Sequence, residues 1–215
     1  MKKVISIAFA VLMLAGLGLC GCERSVSDEK SGSEIDSVSD STMQTYIDGK
    51  SDEDLLNTFV RGWELGMADR TSFVFEDAGD IPSDVLFTFF LFSLNVTPDN
   101  YDSYVNAWYD TQSQKFCIPV SYIDERLDDY FVDPNFIPED FTEGHTVYDP
   151  DNETIDVPII DGWGGEVHCA LESKNIIGDE LILTVDFTDC DLSKTYTIRF
   201  ENGLYKYISV KINQN

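Results

Sequence analysis

His168-Cys169 sets a thiol beside an imidazole, the two groups that nucleophilic hydrolysis pairs. Along a β-strand, however, neighbouring side chains point to opposite faces. Glu166, His168 and Ala170 then share one face and Val167, Cys169 and Leu171 the other, which sends Cys169 toward the core and leaves His168 outside next to Glu166. No dyad can form within that strand. His145 is the one other histidine, and neither imidazole shows the ligand spacing of a zinc site. Asp161-Gly162-Trp163-Gly164-Gly165 joins a large flat ring to a permissive backbone. That combination suits stacking on a sugar or a partner surface, and it suits equally a bulge at which Trp163 folds back on the core. With neither a Lys nor a following helix it is no phosphate loop, and nothing else in the chain reads as a nucleotide site.

Oxygen chemistry is represented by acidic turns. Asp149, Asp151 and Glu153, at alternate positions, resemble the start of an EF-hand calcium loop. The pattern then fails, because Thr154 stands where the loop needs Gly and Ile160 where it needs a bidentate Glu. The expectation is no cofactor, with weak Ca2+ binding at those three acids as the one metal candidate. Asp186, Asp189 and Asp191 form a second such turn, consistent with the ordinary turn chemistry of aspartate. Asp124 and Asp128 are four apart on a helical edge where like charges repel, and with Glu166 they are the acids a hydrolase would draw on. No catalytic set emerges from these residues.

The elements that must position these groups divide into two styles. Ser51 and Asp54 make a helix-capping signature ahead of Leu56, Val60, Trp63 and Met67 at helical spacing. Pro82-Ser83-Asp84 leads into Val85–Phe92, apolar on every side; its length and opening favour a buried helix, its aromatic content would suit a core strand, and periodicity does not decide between them. Thr97-Pro98-Asp99 reads as a further helix start, placing Tyr101, Tyr104, Val105 and Trp108 toward the core. Phe116–Val120 reads as a short strand that Pro119 confines to an edge or an end. Ser121 and Asp124 then suggest a cap before Ile123, Leu127 and Phe131. From Thr146 the period changes to two: Thr146–Asp149, Thr154–Pro158, Glu166–Ser173, Leu181–Phe187, and Thr195–Phe200 joined to Tyr205–Lys211 across Asn202-Gly203, a strong hairpin signal. The expected fold is α+β, with three to four N-terminal helices packed on a C-terminal antiparallel meander of about five strands.

Charge narrows the partners. The chain carries 40 acidic and 14 basic residues, a formal charge of −26. Such a surface excludes nucleic acid, whose binding needs cations against phosphates, and it favours cations or the basic face of another protein.

The N-terminus supplies an address. Met1-Lys2-Lys3 precedes Val4–Leu19, which has no charged residue, and this is the profile of an export signal. Leu19-Cys20-Gly21-Cys22 resembles the lipobox of bacterial lipoprotein precursors, with Cys22 as the acceptor; choosing Cys20 instead would put bulky Leu19 where a small residue is required. That resemblance implies removal of residues 1–21, lipid (palmitate among the acyl chains) on Cys22, and attachment to the outer face of the cell membrane. Loss of Lys2 and Lys3 with the signal takes the charge from −26 to −28. Two or three acyl chains make such an anchor durable, where one holds only marginally. Residues 22–50, rich in Ser, Asp, Glu and Gly, read as a disordered acidic tether with an end-to-end distance on the order of 30 Å. Residues 51–215 read as one domain, long enough to bury a core without disulfides, and Cys117, Cys169 and Cys190 are an odd number of thiols.

The reading is therefore a lipid-anchored envelope protein acting as a binding module for a basic envelope protein or a wall component, with Gly162, Trp163, Gly164, Glu166 and His168 as candidate contacts. A wall-directed hydrolase and a calcium-binding surface module are the alternatives.

Overall fold

The computed structural model describes residues 40–67, 69–141, 145–160, 166–201 and 204–213, all within the unit Ser37–Asn215. The export signal, Cys22 and most of the tether lie outside the described residues, as do Gly162, Trp163 and Gly164.

Helix α1 (Asp40–Ile47) occupies the end of the stretch read as tether. Met43 and Ile47, four apart, share one helical face, and both are buried. Two apolar residues on one face are enough to dock a short helix that composition alone reads as disordered. Helix α2 (Asp52–Leu56) opens on the capping box: Asp54 N–H donates to Ser51 Oγ at 3.1 Å, and Ser51 N–H donates to the Asp54 carboxylate at 3.0 Å. It continues through a π-helical turn, Asn57–Arg61, into α3 (Gly62–Glu64). A π-turn widens the helix and re-aims the side chains around it. Here it lies where the buried face passes from Leu55 and Leu56 through Phe59 and Val60 to Trp63 and Glu64.

The Val85–Phe92 run is helix α4 (Ser83–Ser93), buried along Val85, Leu86, Phe87, Phe89, Phe90 and Leu91. Its approach to the end of α3 depends on Gly66, where any Cβ would overlap the Phe92 ring. Helix α5 spans Tyr101–Trp108, later than the Pro98 start expected, because Asn100 accepts the Thr97 N–H at 2.7 Å and closes a turn first. Tyr101, Tyr104, Val105 and Trp108 are half-buried against the core rather than inside it.

Strands β1 (Tyr109–Asp110) and β2 (Lys115–Pro119) form a hairpin, and β2 runs directly into α6 (Val120–Asp128). The cap expected at Ser121 is absent: α6 starts two residues earlier, on extended Pro119, and the Val120 N–H donates to Glu153 O at 2.9 Å. A strand end, not a side-chain cap, sets this helix start. Ile123, Leu127 and Phe131 are buried together.

The chain is α+β, with helices and two four-stranded antiparallel sheets among the described residues. The expected five-strand meander is corrected to four: β5 (Cys169–Ile177), β6 (Glu180–Phe187), β7 (Leu192–Glu201) and β8 (Leu204–Ile212), in that spatial order. The hairpin β3 (Val147–Asp149) and β4 (Thr154–Val157) joins β2 instead, in the order β1-β2-β4-β3. Ile155 and Val157 pair with Ile118 and Phe116, so the apolar faces of β4 and β2 bury each other. Strand β5 begins at Cys169, leaving Glu166–His168 ahead of it, and a bulge between Leu171 and Ser173 breaks the simple alternation. Glu201 pairs with Leu204, the register a two-residue hairpin loop requires.

Candidate functional site

Where the α2–α3 segment runs beside β5, a cleft of about 610 Å³ opens. Glu53, Asn57, Arg61 and Leu65, at helical spacing, line one side; Glu166, Val167, His168 and Cys169 line the other, with Thr188 at the end. The floor and rim differ. Arg61 makes a two-point contact with Glu53, through Nη1 to Oε1 and through Nη2 to Oε2 at 3.1 Å, and Nη1 also donates to Asn57 Oδ1 at 2.9 Å. The cleft's guanidinium is thus already engaged. Glu166 and His168 stand on the rim with side chains 80% and 59% exposed and 4.0 Å apart. The Thr188 N–H donates to His168 O at 3.0 Å and fixes that strand end to the β6–β7 turn.

Cys169 is half-buried in this cleft, not enclosed in the core as its strand position suggests. Burial pushes its thiol up, with Arg61 beside it pulling the other way and too weakly to prevail. Cys117 is pushed up by burial and the neighbouring Asp156, and Cys190 by burial and Asp189. Each is therefore held as a thiol, whereas the nucleophilic form is the thiolate. His168 and Cys169 meet at one cleft, as chain neighbours must, with the imidazole on the exposed rim.

A charged cluster that the sequence reading missed lies deeper. Glu64 and Lys194 are both fully buried, with Lys194 Nζ 2.7 Å from Glu64 Oε1. The Tyr196 hydroxyl donates to the same oxygen at 2.6 Å, and Lys194 Nζ also donates to Phe73 O at 3.2 Å. Glu64 Oε2 has no hydrogen-bond partner among the described residues. Burial pushes the Glu64 carboxyl up and the Lys194 amine down, and in both cases the partner's charge opposes the shift. Two signals could have revealed it. Glu64 sits between Val60 and Met67 on the apolar stripe, and Lys194 alternates with Tyr196 and Ile198 on one face of β7.

The acidic turns have structural uses. The Asp149 carboxylate accepts from Asp151 N–H at 3.0 Å and from Asn152 Nδ2 at 2.7 Å, which closes the β3–β4 turn and lowers its pKa; Glu153 takes a left-handed backbone beside it. Asp189 accepts from Arg70 Nη2 at 3.2 Å, and Arg70 also donates to Glu64 O. Asp124 is exposed on α6; residual burial and the like charge of Asp128 raise its carboxyl, and neither acid lines the cleft with Glu166. His145 is exposed with a left-handed backbone. Among the described residues no group of three or more His, Cys, Asp or Glu is placed to hold a metal, and no helix is long and apolar enough to cross a membrane.

The arrangement therefore offers a rim of carboxylates around an engaged arginine, and a dry ion pair behind it. No family model, no curated protein and no solved structure matches the chain.

Proposed function

We propose that the chain is an exported, lipid-anchored binding module whose acidic domain takes a cationic segment of another envelope protein or of the wall. Residues 1–21 direct export, Cys22 carries the lipid, and the remaining tether spaces the domain from the membrane. The observation that carries the binding reading is the cleft itself: its exposed acids, Glu53 and Glu166, surround a guanidinium that Glu53 already neutralises. In a chain of net charge −26, such a cleft attracts cations and repels anionic polymers. In the same reading the N-terminal helices form a cover on the C-terminal sheet. The bond from Trp63 Nε1 to the Tyr207 hydroxyl, and the Glu64–Lys194 pair, support that arrangement.

The anchor is tested by expressing the full chain and its Cys22→Ser variant with an alkyne-bearing palmitate. The expected outcome is label and membrane fractionation for the native chain, and neither for the variant. Equal labelling of both would reject Cys22 as the acceptor.

A further inference from the structure

We propose that the free edge of strand β5 is a strand-addition site, at which an extended cationic segment of the partner pairs with β5 and sends one row of its side chains into the acidic cleft. The inference rests on the binding reading above and says how the segment is held.

The two edges of the sheet β5-β6-β7-β8 are finished differently. Along β8 the chain covers its own edge. Phe75 N–H donates to Val210 O at 2.8 Å, Val210 N–H returns a bond to Phe75 O at 2.9 Å, and Tyr207 N–H donates to Tyr130 O at 2.8 Å. Strand β5 pairs with β6 on one side and, among the described residues, with nothing on the other. The register tells which of its backbone groups face out. Ile177 and Glu180 flank the loop Gly178-Asp179 as a hydrogen-bonded pair, so in the alternation of an antiparallel ladder Asn175 and Ser173 also point toward β6. At the other end Thr188 N–H donates to His168 O, which turns Ala170 toward β6 likewise. Cys169 and Leu171 on one side of the bulge, and Lys174 and Ile176 on the other, are left with outward N–H and C=O groups. An open row of this kind is a template for another strand.

The usual guards of such an edge are weak here. Strand β5 contains no proline, and its one lysine, Lys174, is already held 3.0 Å from Asp52 of α2. Charge decides the occupant. Cys169 lies in the cleft and Glu166 stands just ahead of the strand, so the edge runs out of the acidic rim that Glu166 forms with Glu53. Glu172 adds a further exposed acid in mid-strand. Cys169 and Leu171 share a face with their partners Phe187 and Val185, the face on which the helical segment lies. An added strand continues that face, and alternate side chains along it meet the cleft. Main-chain pairing then supplies affinity for any extended chain, and the acids select lysine or arginine at the positions that enter the cleft. A second copy of this chain, at −26, would be repelled from the same edge.

The test combines affinity and hydrogen exchange on the full chain at low salt. The probes are a peptide of alternating lysine and threonine, as long as β5, and two derivatives N-methylated at every lysine or at every threonine. Each derivative lacks the N–H groups of one strand edge. The expected result is that one derivative binds like the parent, that the other is weaker by about tenfold or more, and that the parent slows exchange across Cys169–Ile177. Equal affinity of the two derivatives overturns strand addition, while continued binding of oligolysine leaves the charge reading standing. Exchange across β5 that a bound peptide does not slow overturns it as well. Slowing that grows with protein concentration in the absence of peptide puts a second copy on the edge and overturns the proposal. If neither oligolysine nor the parent peptide binds, the binding reading fails and this inference fails with it.

Discussion

The helical segment from Asp52 to Glu64 contributes to two acid–base pairs, one open to solvent and one buried, and the two behave as different kinds of interaction. Glu53–Arg61 lies in the cleft, with the Glu53 side chain 64% exposed. Glu64–Lys194 lies inside the fold with both side chains fully buried. Water screens the first pair, so either member can be removed cheaply and either can be recruited by a ligand. The second has no water to fall back on, so its two members depend on each other. One stretch of helix thus contributes both to a binding surface and to a structural clamp.

The sharpest way to break this comparison is Lys194→Met. Leaving Glu64 buried without its partner is expected to cost about 3–5 kcal/mol in chemical denaturation, and the double variant Glu64→Leu, Lys194→Met is expected to recover most of that loss. Failure of the double variant to recover would mean that the pair holds the fold by something other than mutual compensation. Next comes Gly66→Ala, which forces the Phe92 ring to shift and should lower stability by about 1–3 kcal/mol. Ser51→Ala removes the cap that starts the segment and should cost about 1 kcal/mol. It carries a pH signature as well. The Ser51 hydroxyl and N–H hold the Asp54 carboxyl below the usual aspartate range, so that contribution is present above the ordinary aspartate pKa and is lost as pH falls through the lowered one. In Ser51→Ala the Asp54 titration followed by NMR should move up toward the ordinary value. The smallest effect belongs to Arg61→Ala, expected to change stability by less than about 1 kcal/mol despite its two-point contact. A loss as large as that of Lys194→Met would erase the distinction between the two pairs.

Much of this was legible in the chain. The Ser51–Asp54 box, the stripe from Leu56 to Met67, the burial of the Val85–Phe92 run and the last hairpin all follow from local chemistry, which acts between residues a few positions apart. What escaped were contacts set by distant partners. The strand β4 pairs with β2 and not with β5 because Ile155 and Val157 find Ile118 and Phe116, a choice that period-two patterning cannot express. The start of α6 is fixed by Glu153, far along the chain. Helix α1 hides in an acidic stretch because its packing on the core rests on a few spaced residues, Met43, Tyr46 and Ile47. At the cleft, the sequence placed Glu166 and His168 outside and together, but the opposing wall from Glu53 to Leu65 comes from a segment that gave no local sign of it. Lys194 was visible as an odd residue on an apolar face; its meaning required Glu64 to be seen beside it.

The central claim is that the acidic cleft is the face that meets a partner. It is tested most directly by measuring, at low and high salt, the affinity of the vesicle-anchored full chain for an oligolysine peptide, alongside the Glu53→Gln, Glu166→Gln double variant. Two exposed charges, each worth up to about 1 kcal/mol, predict weakening of up to about thirtyfold at low salt, with the difference fading as salt rises. Equal affinity of the two proteins at low salt would contradict the account and move the binding surface away from this cleft.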